Sequence, residues 1–376
     1  MRVSNGHVGH QTIQSIDFLR AIACLMVVYC HVIGRPLIIF NETWLPATLV
    51  NDFILLPLNV IQRFGFLGVA VFFLISGFIV THTGINESRF SFAIKRIFRI
   101  YPALIASVAL VLVLIPITEQ YGIINEGIGH GYSNAFLAML GMDAGFTKRP
   151  LMSVSWTLSL ELFFYAMVLI ILPLLKSRPV VAMLSILLFS AAMTSTMGLP
   201  YHPGRMAAHF AAFMPLFVIG MAVYFCWSGK VRLLYTAMIL AAIWIVMIIG
   251  FTSAKPAYME PLNSYPTQVF YATVIFLGAL WIYSRKEFAK NAIITFLSNI
   301  SYSLYLLHLP ISSAITLSLH DKIGYVASIT ISLIASFSVS YAIYRLVERP
   351  GQVIGRRIIA KTTSVMPAFV QRRTVE

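Results

Sequence analysis

The chain has 376 residues, of which 59% are apolar and only 11% charged, with a mean hydropathy of +0.84. A water-soluble globular domain rarely reaches such values, so the composition describes an integral membrane protein. The net charge of +14 raises nucleic acid as a partner, but the basic residues are spread over the ends of apolar segments, which removes that class.

Apolar stretches near the roughly 20 residues that a helical span needs recur ten times, at about 16–39, 66–82, 100–118, 156–175, 179–197, 207–227, 231–251, 267–284, 293–317 and 323–346. The expected fold is all-α, a polytopic transmembrane bundle of about ten spans. The first span is read as a retained helix, because Arg20 interrupts it and no cleavage site follows. Cys24, Cys30 and Cys226 fall inside spans without a CxxC or Cys/His ligand spacing and read as small apolar residues.

With the N-terminus in the cytoplasm, the segments on that side hold Arg89, Lys95, Arg96, Arg99, Lys176, Arg178, Lys230, Arg232, Arg285, Lys286, Lys290 and the basic residues from Arg345 to Arg373. This positive-inside asymmetry assigns both termini to the cytoplasm. Residues 1–350 then form one transmembrane domain and 351–376 a basic cytoplasmic tail, partly disordered from about Ile358.

Within the first span, DFLRAIACLMVVYCHVIG (17–34) keeps Asp17, Arg20 and His31. Eleven residues at about 100° each return within roughly 20° of three full turns, and a rise of about 1.5 Å per residue separates Arg20 from His31 by ~16 Å on one face. One reading pairs Arg20 with Asp17 at the interface and gives His31 a structural hydrogen bond. The other makes the two residues the ends of a polar track through the bundle.

The second span, GVAVFFLISGFIVTH (68–82), sets Ser76 and Gly77 among phenylalanines, a pattern suited to close helix packing. RFSFAIKRIFRIYP (89–102) follows as a short amphipathic helix presenting Lys95, Arg96 and Arg99, with Pro102 as a stop or kink. It suits either anionic membrane lipid or a phosphate-bearing cytosolic ligand. In the fourth span, SWTLSLELFFY (155–165) contributes Glu161, the acid expected well inside a span, with structural and functional pairing both open. The ninth, FLSNISYSLYLLHLP (296–310), aligns Ser301, Tyr305 and His308 on one face. At the end of the tenth, Arg345, Glu348 and Arg349 read as an interfacial ion-pair cap. A Walker-type loop, a GxSxG elbow and an HExxH zinc motif are absent from the sequence.

The order of these segments resembles the membrane-bound acyltransferase-3 family, whose best-known members O-acetylate bacterial surface polysaccharides. The pieces that carry the resemblance are DFLRAIACLMVVYCH, GVAVFFLISGF, KRIFRIYP, SWTLSLE, SYSLYLLHLP and RLVERP, covering nearly the whole chain. Two departures stand out. Leu162 occupies the place of a second acid common in the family, and the chain is too short for the fused extracytoplasmic hydrolase-like domain that many members carry.

The resemblance implies a multi-pass protein of the bacterial cytoplasmic (inner) membrane that transfers an acetyl or other acyl group from cytosolic acetyl-CoA to a hydroxyl of a surface polysaccharide, exopolysaccharide or lipid-linked glycan, without a metal. In that reading His31 and Glu161 are catalytic, with Glu161 orienting the imidazole. Arg20, Lys95, Arg96 and Arg99 hold the donor, and Ser301, Tyr305, His308 and Trp156 line the acceptor path. The competing class is a transporter or flippase that moves a glycan or acyl precursor without bond chemistry; its expected pair of broken helices is missing.

Overall fold

The computed structural model describes residues 5–120, 134–146, 150–195, 202–253, 264–285 and 289–365. In chain order the helices are α1 (Asn5–Val28), α2 (Arg35–Ile39), α3 (Leu45–Val50), α4 (Gly65–Gly84), α5 (Arg89–Gln120), α6 (Ala135–Met139), α7 (Asp143–Phe146), α8 (Ser155–Ser177), α9 (Pro179–Ser195), α10 (His202–Trp227), α11 (Leu233–Ser253), α12 (Ser264–Arg285), α13 (Ala292–Ile323), α14 (Tyr325–Ile343) and α15 (Arg349–Val365).

Among the described residues nine helical segments are long and apolar enough to cross a bilayer, and α9, at 17 residues, lies just below them in length. Each of the ten expected spans is thus a helix. Seventeen residues still fall at the lower edge of what spans a hydrocarbon core.

Lipid tails are as apolar as leucine, so helices associate through close contact and hydrogen bonds more than through the hydrophobic effect. Helix α4 shows how. It packs against α1, α10 and α12, and its glycines bring backbones together: a Cβ on Gly77 would lie 2.0 Å from the Phe217 carbonyl oxygen, and one on Gly220 of α10 would lie 2.1 Å from that of Leu74. Phenylalanines fill the flanks, with Phe217 between Phe73 and Phe164. Helix α13 starts on an Asn291 cap, whose side chain accepts from the N–H groups of Ile293 and Ile294, and packs against α1 and α14.

Among the described residues three helical stretches widen into π turns, at Tyr29–Gly34, Asn51–Leu55 and Tyr344–Glu348. Each ends two residues before a proline, Pro36, Pro57 or Pro350. A proline lacks the N–H for the i−4 carbonyl and crowds it, and a wider preceding turn relieves the crowding. Prolines 102, 116, 173, 215 and 310 sit inside helices.

Two expectations change here. The segment 89–102 is not a separate short helix: α5 runs without a break from Arg89 through Pro102 to Gln120, so the basic residues belong to the first turns of a 32-residue helix. The start of the tail is helical as far as Val365, and α15 lies against α5, where Gly351 and Gly355 meet Pro102 and Phe98. Residues 366–376 of the expected tail lie outside the described residues.

Candidate active site

His31 sits on the π turn that ends α1, and its Nδ1 is 2.8 Å from Nε2 of His308 on α13. The two rings are near-parallel, with centroids 5.1 Å apart. His308 is fully buried, and its Nδ1 lies 2.8 Å from the Leu304 carbonyl. A carbonyl only accepts, so His308 Nδ1 carries a proton. In the uncharged ring its Nε2 is then an acceptor, and the His31 Nδ1–H donates to it. The network thereby assigns the tautomers and leaves the His31 Nε2 lone pair free.

One helical turn back along α13, Tyr305 has its ring 6.0 Å from that of His308 and its hydroxyl 2.6 Å from Thr157 Oγ1. Tyr305 also lines a cavity of about 80 Å³ bounded by Arg20, Ser76, Arg99, Glu161, Ser301 and Tyr302, among others. The cavity therefore reaches one aromatic ring short of the histidine pair. Helices α1, α4, α5, α8 and α13 each contribute to it.

Charge is concentrated around this cavity. Arg20 is within electrostatic reach of Arg99, Asp17 and Glu161, and Arg99 of Glu161 and Glu348. Glu161 Oε1 accepts from Ser76 Oγ at 2.8 Å and from the Tyr165 hydroxyl. Glu348, 4% exposed, accepts from Ser303 Oγ at 2.7 Å and from Gln352. Asp17 Oδ1 accepts from Ser298 Oγ at 2.7 Å. Buried carboxylates that keep hydroxyl donors and nearby guanidinium groups remain tolerable where lone ones would not.

Several assignments move. The partner of the His31 imidazole is His308, whereas Glu161 is held by Ser76 and Tyr165 beside the arginines. His308, expected along the acceptor path, is the residue that holds His31. Of the basic residues at the start of α5, Arg99 alone lines the cavity. Lys95 forms a 2.7 Å ion pair with Glu87. Arg96 is buried, donates to Thr83 Oγ1 at 2.5 Å and lies over the Phe92 and Tyr165 rings. Trp156 packs among Phe73 and Phe213, off the cavity lining.

Ser301 does line the cavity, although its hydroxyl donates back to the Ser298 carbonyl. Glu348 is not part of an interfacial cap: it points inward while Arg345 and Arg349 stay exposed. It supplies the second carboxylate that Leu162 seemed to deny the site, from the far end of the chain. Sequence reasoning also passed over Tyr165 and Thr157, although Tyr165 lies one turn after Glu161, a spacing that brings side chains together on a helix.

The profile of the acyltransferase domain family, type 3, matches residues 13–345. Nodulation protein 10 of Rhizobium leguminosarum bv. viciae is 26% identical over 400 aligned positions, which span 97% of this chain and all of that protein. No solved structure matches. The matched stretch contains α4 and α13, both histidines of the pair and every residue that lines the cavity; Glu348 lies three residues beyond it. With a bundle of apolar spanning helices around it, the chain belongs to the acyltransferase-3 family and is a multi-pass membrane acyltransferase.

Proposed function

We propose that the protein transfers an acetyl group from acetyl-CoA to a hydroxyl of a bacterial glycan, with His31 as general base. The observation that carries this reading is the hydrogen bond from His31 to His308, which leaves His31 Nε2 unprotonated. A base held in one tautomer by a buried partner matches the division of labour of catalytic histidines.

The reaction balances without another group. His31 Nε2 takes the proton of the acceptor hydroxyl as its oxygen attacks the thioester carbonyl. The tetrahedral intermediate collapses with the C–S bond breaking, and the imidazolium returns the proton to the CoA sulfur. An ester and CoA thiol leave. Throughout, His308 Nε2 accepts from His31 Nδ1–H and spreads the transient positive charge.

Arg20 and Arg99 line the cavity through which the donor approaches, and their guanidinium groups suit the amide oxygens and phosphates of CoA. Glu161 and Glu348 hold those arginines in place. Lys95 and Arg96, bound by Glu87, Thr83 and aromatic faces, fix the start of α5. The cytoplasmic face supplies acetyl-CoA, in a bacterial inner membrane.

His31→Ala in a chain that still inserts should lower acetyl transfer by about 10²–10⁴-fold. Undiminished turnover would remove His31 from the chemistry. Release of CoA thiol, measured with purified protein, acetyl-CoA and a glycan, separates group transfer from transport.

A further inference from the structure

At the end of the bundle away from the start of α5, a second cavity of about 200 Å³ opens, against about 80 Å³ for the one at Arg20. Its wall includes Tyr29, Glu42, Trp44, Asn51 and Arg63. Two aromatic rings with a carboxylate, an amide and a guanidinium are the groups that hold a saccharide: flat apolar faces for the ring, fixed hydrogen-bonding groups for the hydroxyls.

The two charges in this wall are not equivalent. Glu42 is matched: its Oε1 is 3.0 Å from His320 Nε2, and that ring is stacked on Phe40 and hydrogen-bonded to Asp321. Arg63 is half-buried and, among the described residues, has neither a hydrogen bond nor an ion pair, with the Tyr29 hydroxyl within electrostatic reach. It is nevertheless closely placed. Gln62, Arg63 and Phe64 have φ of 49°, 46° and 71°, a left-handed run that non-glycine residues rarely adopt. Its stem lies across Gly34, where a Cβ would fall 2.4 Å from Arg63 Cδ. Gly34 is three residues beyond His31, so the cation is held about one turn from the reaction centre.

Much of the remaining wall belongs to the helical stretch from Leu45 to Leu55. Ala47 and Leu55 are buried on its inner side, whereas Leu45, Leu49, Phe53 and Leu56 are 70%, 47%, 75% and 67% exposed. Large apolar side chains at that spacing form an outward stripe, as in a helix lying in a membrane interface. A polar pocket with an unmatched cation thus opens beside a surface suited to lipid.

We propose that this cavity binds the phosphorylated saccharide head of a lipid-anchored glycan, with the phosphate on Arg63, the sugar on Trp44 and Tyr29, and the lipid chain along the Leu45–Phe53 stripe. That this glycan is the acyl acceptor rests on the function proposed above; the binding itself does not.

The test measures binding without acetyl-CoA, using the full chain in nanodiscs of zwitterionic phospholipid and three probes: farnesyl phosphoglucose, glucose 1-phosphate and octyl glucoside. Farnesyl phosphoglucose is expected to bind at least tenfold more tightly than either of the others. Arg63→Gln should weaken it at least tenfold, Arg63→Lys should restore most of the loss, and octyl glucoside should not respond to either change. A melting temperature equal to the parent's reports that the Arg63→Gln protein is folded. If it is not, Trp44→Leu replaces it, with a loss for both glucolipids expected.

Equal affinity of the parent and a folded Arg63→Gln or Trp44→Leu variant overturns the proposal, and so does octyl glucoside binding as tightly as the phosphorylated lipid. Glucose 1-phosphate binding as tightly as the lipid form would make the ligand a soluble sugar phosphate and overturn the lipid assignment. An active His31→Ala protein would sink the catalytic reading while leaving this result standing.

Discussion

At the scale of single residues, the pairing of His31 with His308 makes a prediction that a packing role would not. His308→Gln offers an amide oxygen to His31 Nδ1–H, whereas His308→Leu offers nothing. Turnover should fall by about tenfold to a hundredfold in the leucine variant and less in the glutamine one, and the pH–rate profile should move in both; equal losses would reduce His308 to a space filler. The arginines divide in the same way. Arg99→Met should raise the KM for acetyl-CoA about tenfold or more, the loss of a charged hydrogen bond, while Lys95→Met should leave that KM alone and lower thermal stability, because its ammonium sits on Glu87. His31, Arg20, Glu161 and Tyr305 were legible as candidates because polar groups in apolar runs are costly. Their partners were not. His308 lies 277 residues from His31, and nothing in either segment specifies the other.

At the scale of elements, the positions of the helices could be read from hydrophobic run lengths, but their joins and contacts could not. Continuity of α5 through Pro102 escaped a rule that treats proline as a boundary, since a helix held by neighbours tolerates the lost hydrogen bond. The crossing of α4 and α10 was half visible: the small residues at Ser76 and Gly77 suggested close packing, whereas the partner Gly220 needed the fold. Gly77→Ala or Gly220→Ala should each destabilise the bundle by about 1–3 kcal/mol or more, read as a lower melting temperature in detergent. The start of the short helix α7 gives a pH-dependent case. Asp143 is fully buried and accepts from the N–H groups of Ala144 and Leu151 at 3.0 Å, yet burial pushes its carboxyl above the usual value. The folded chain then holds this proton more tightly than the unfolded one, so the contribution to stability falls as pH rises from the unfolded value through the folded one. Protection of the Leu151 amide, corrected for intrinsic exchange, should be higher at pH 5 than at pH 8; the reverse order would mean that the hydrogen bonds outweigh the burial.

At the scale of the whole molecule, ten crossings would return the chain to the side on which it started, with α15 laid against the basic end of α5. A reporter active only in the cytoplasm should therefore work when fused after Glu376 and fail when inserted near Asn41; activity at the second position would reverse the topology. Composition made the helical, membrane-spanning character the most readable feature, because insertion in a bilayer depends on properties summed over tens of residues. The two cavities were not readable as enclosed spaces: the one at Arg20 draws on helices far apart in sequence, and the second, although lined by residues between 29 and 63, depends on how that stretch folds back on itself. The proline-linked wide turns have a consequence for how such a chain can vary. A π turn holds one residue more than the α turn it replaces, so excising any single residue between 29 and 34 would leave a well-formed helix yet rotate one flank against the other by about 100°. The imidazole and the lining of the larger cavity would lose their common bearing, and homologues are expected to keep the length of that segment even where they change its letters.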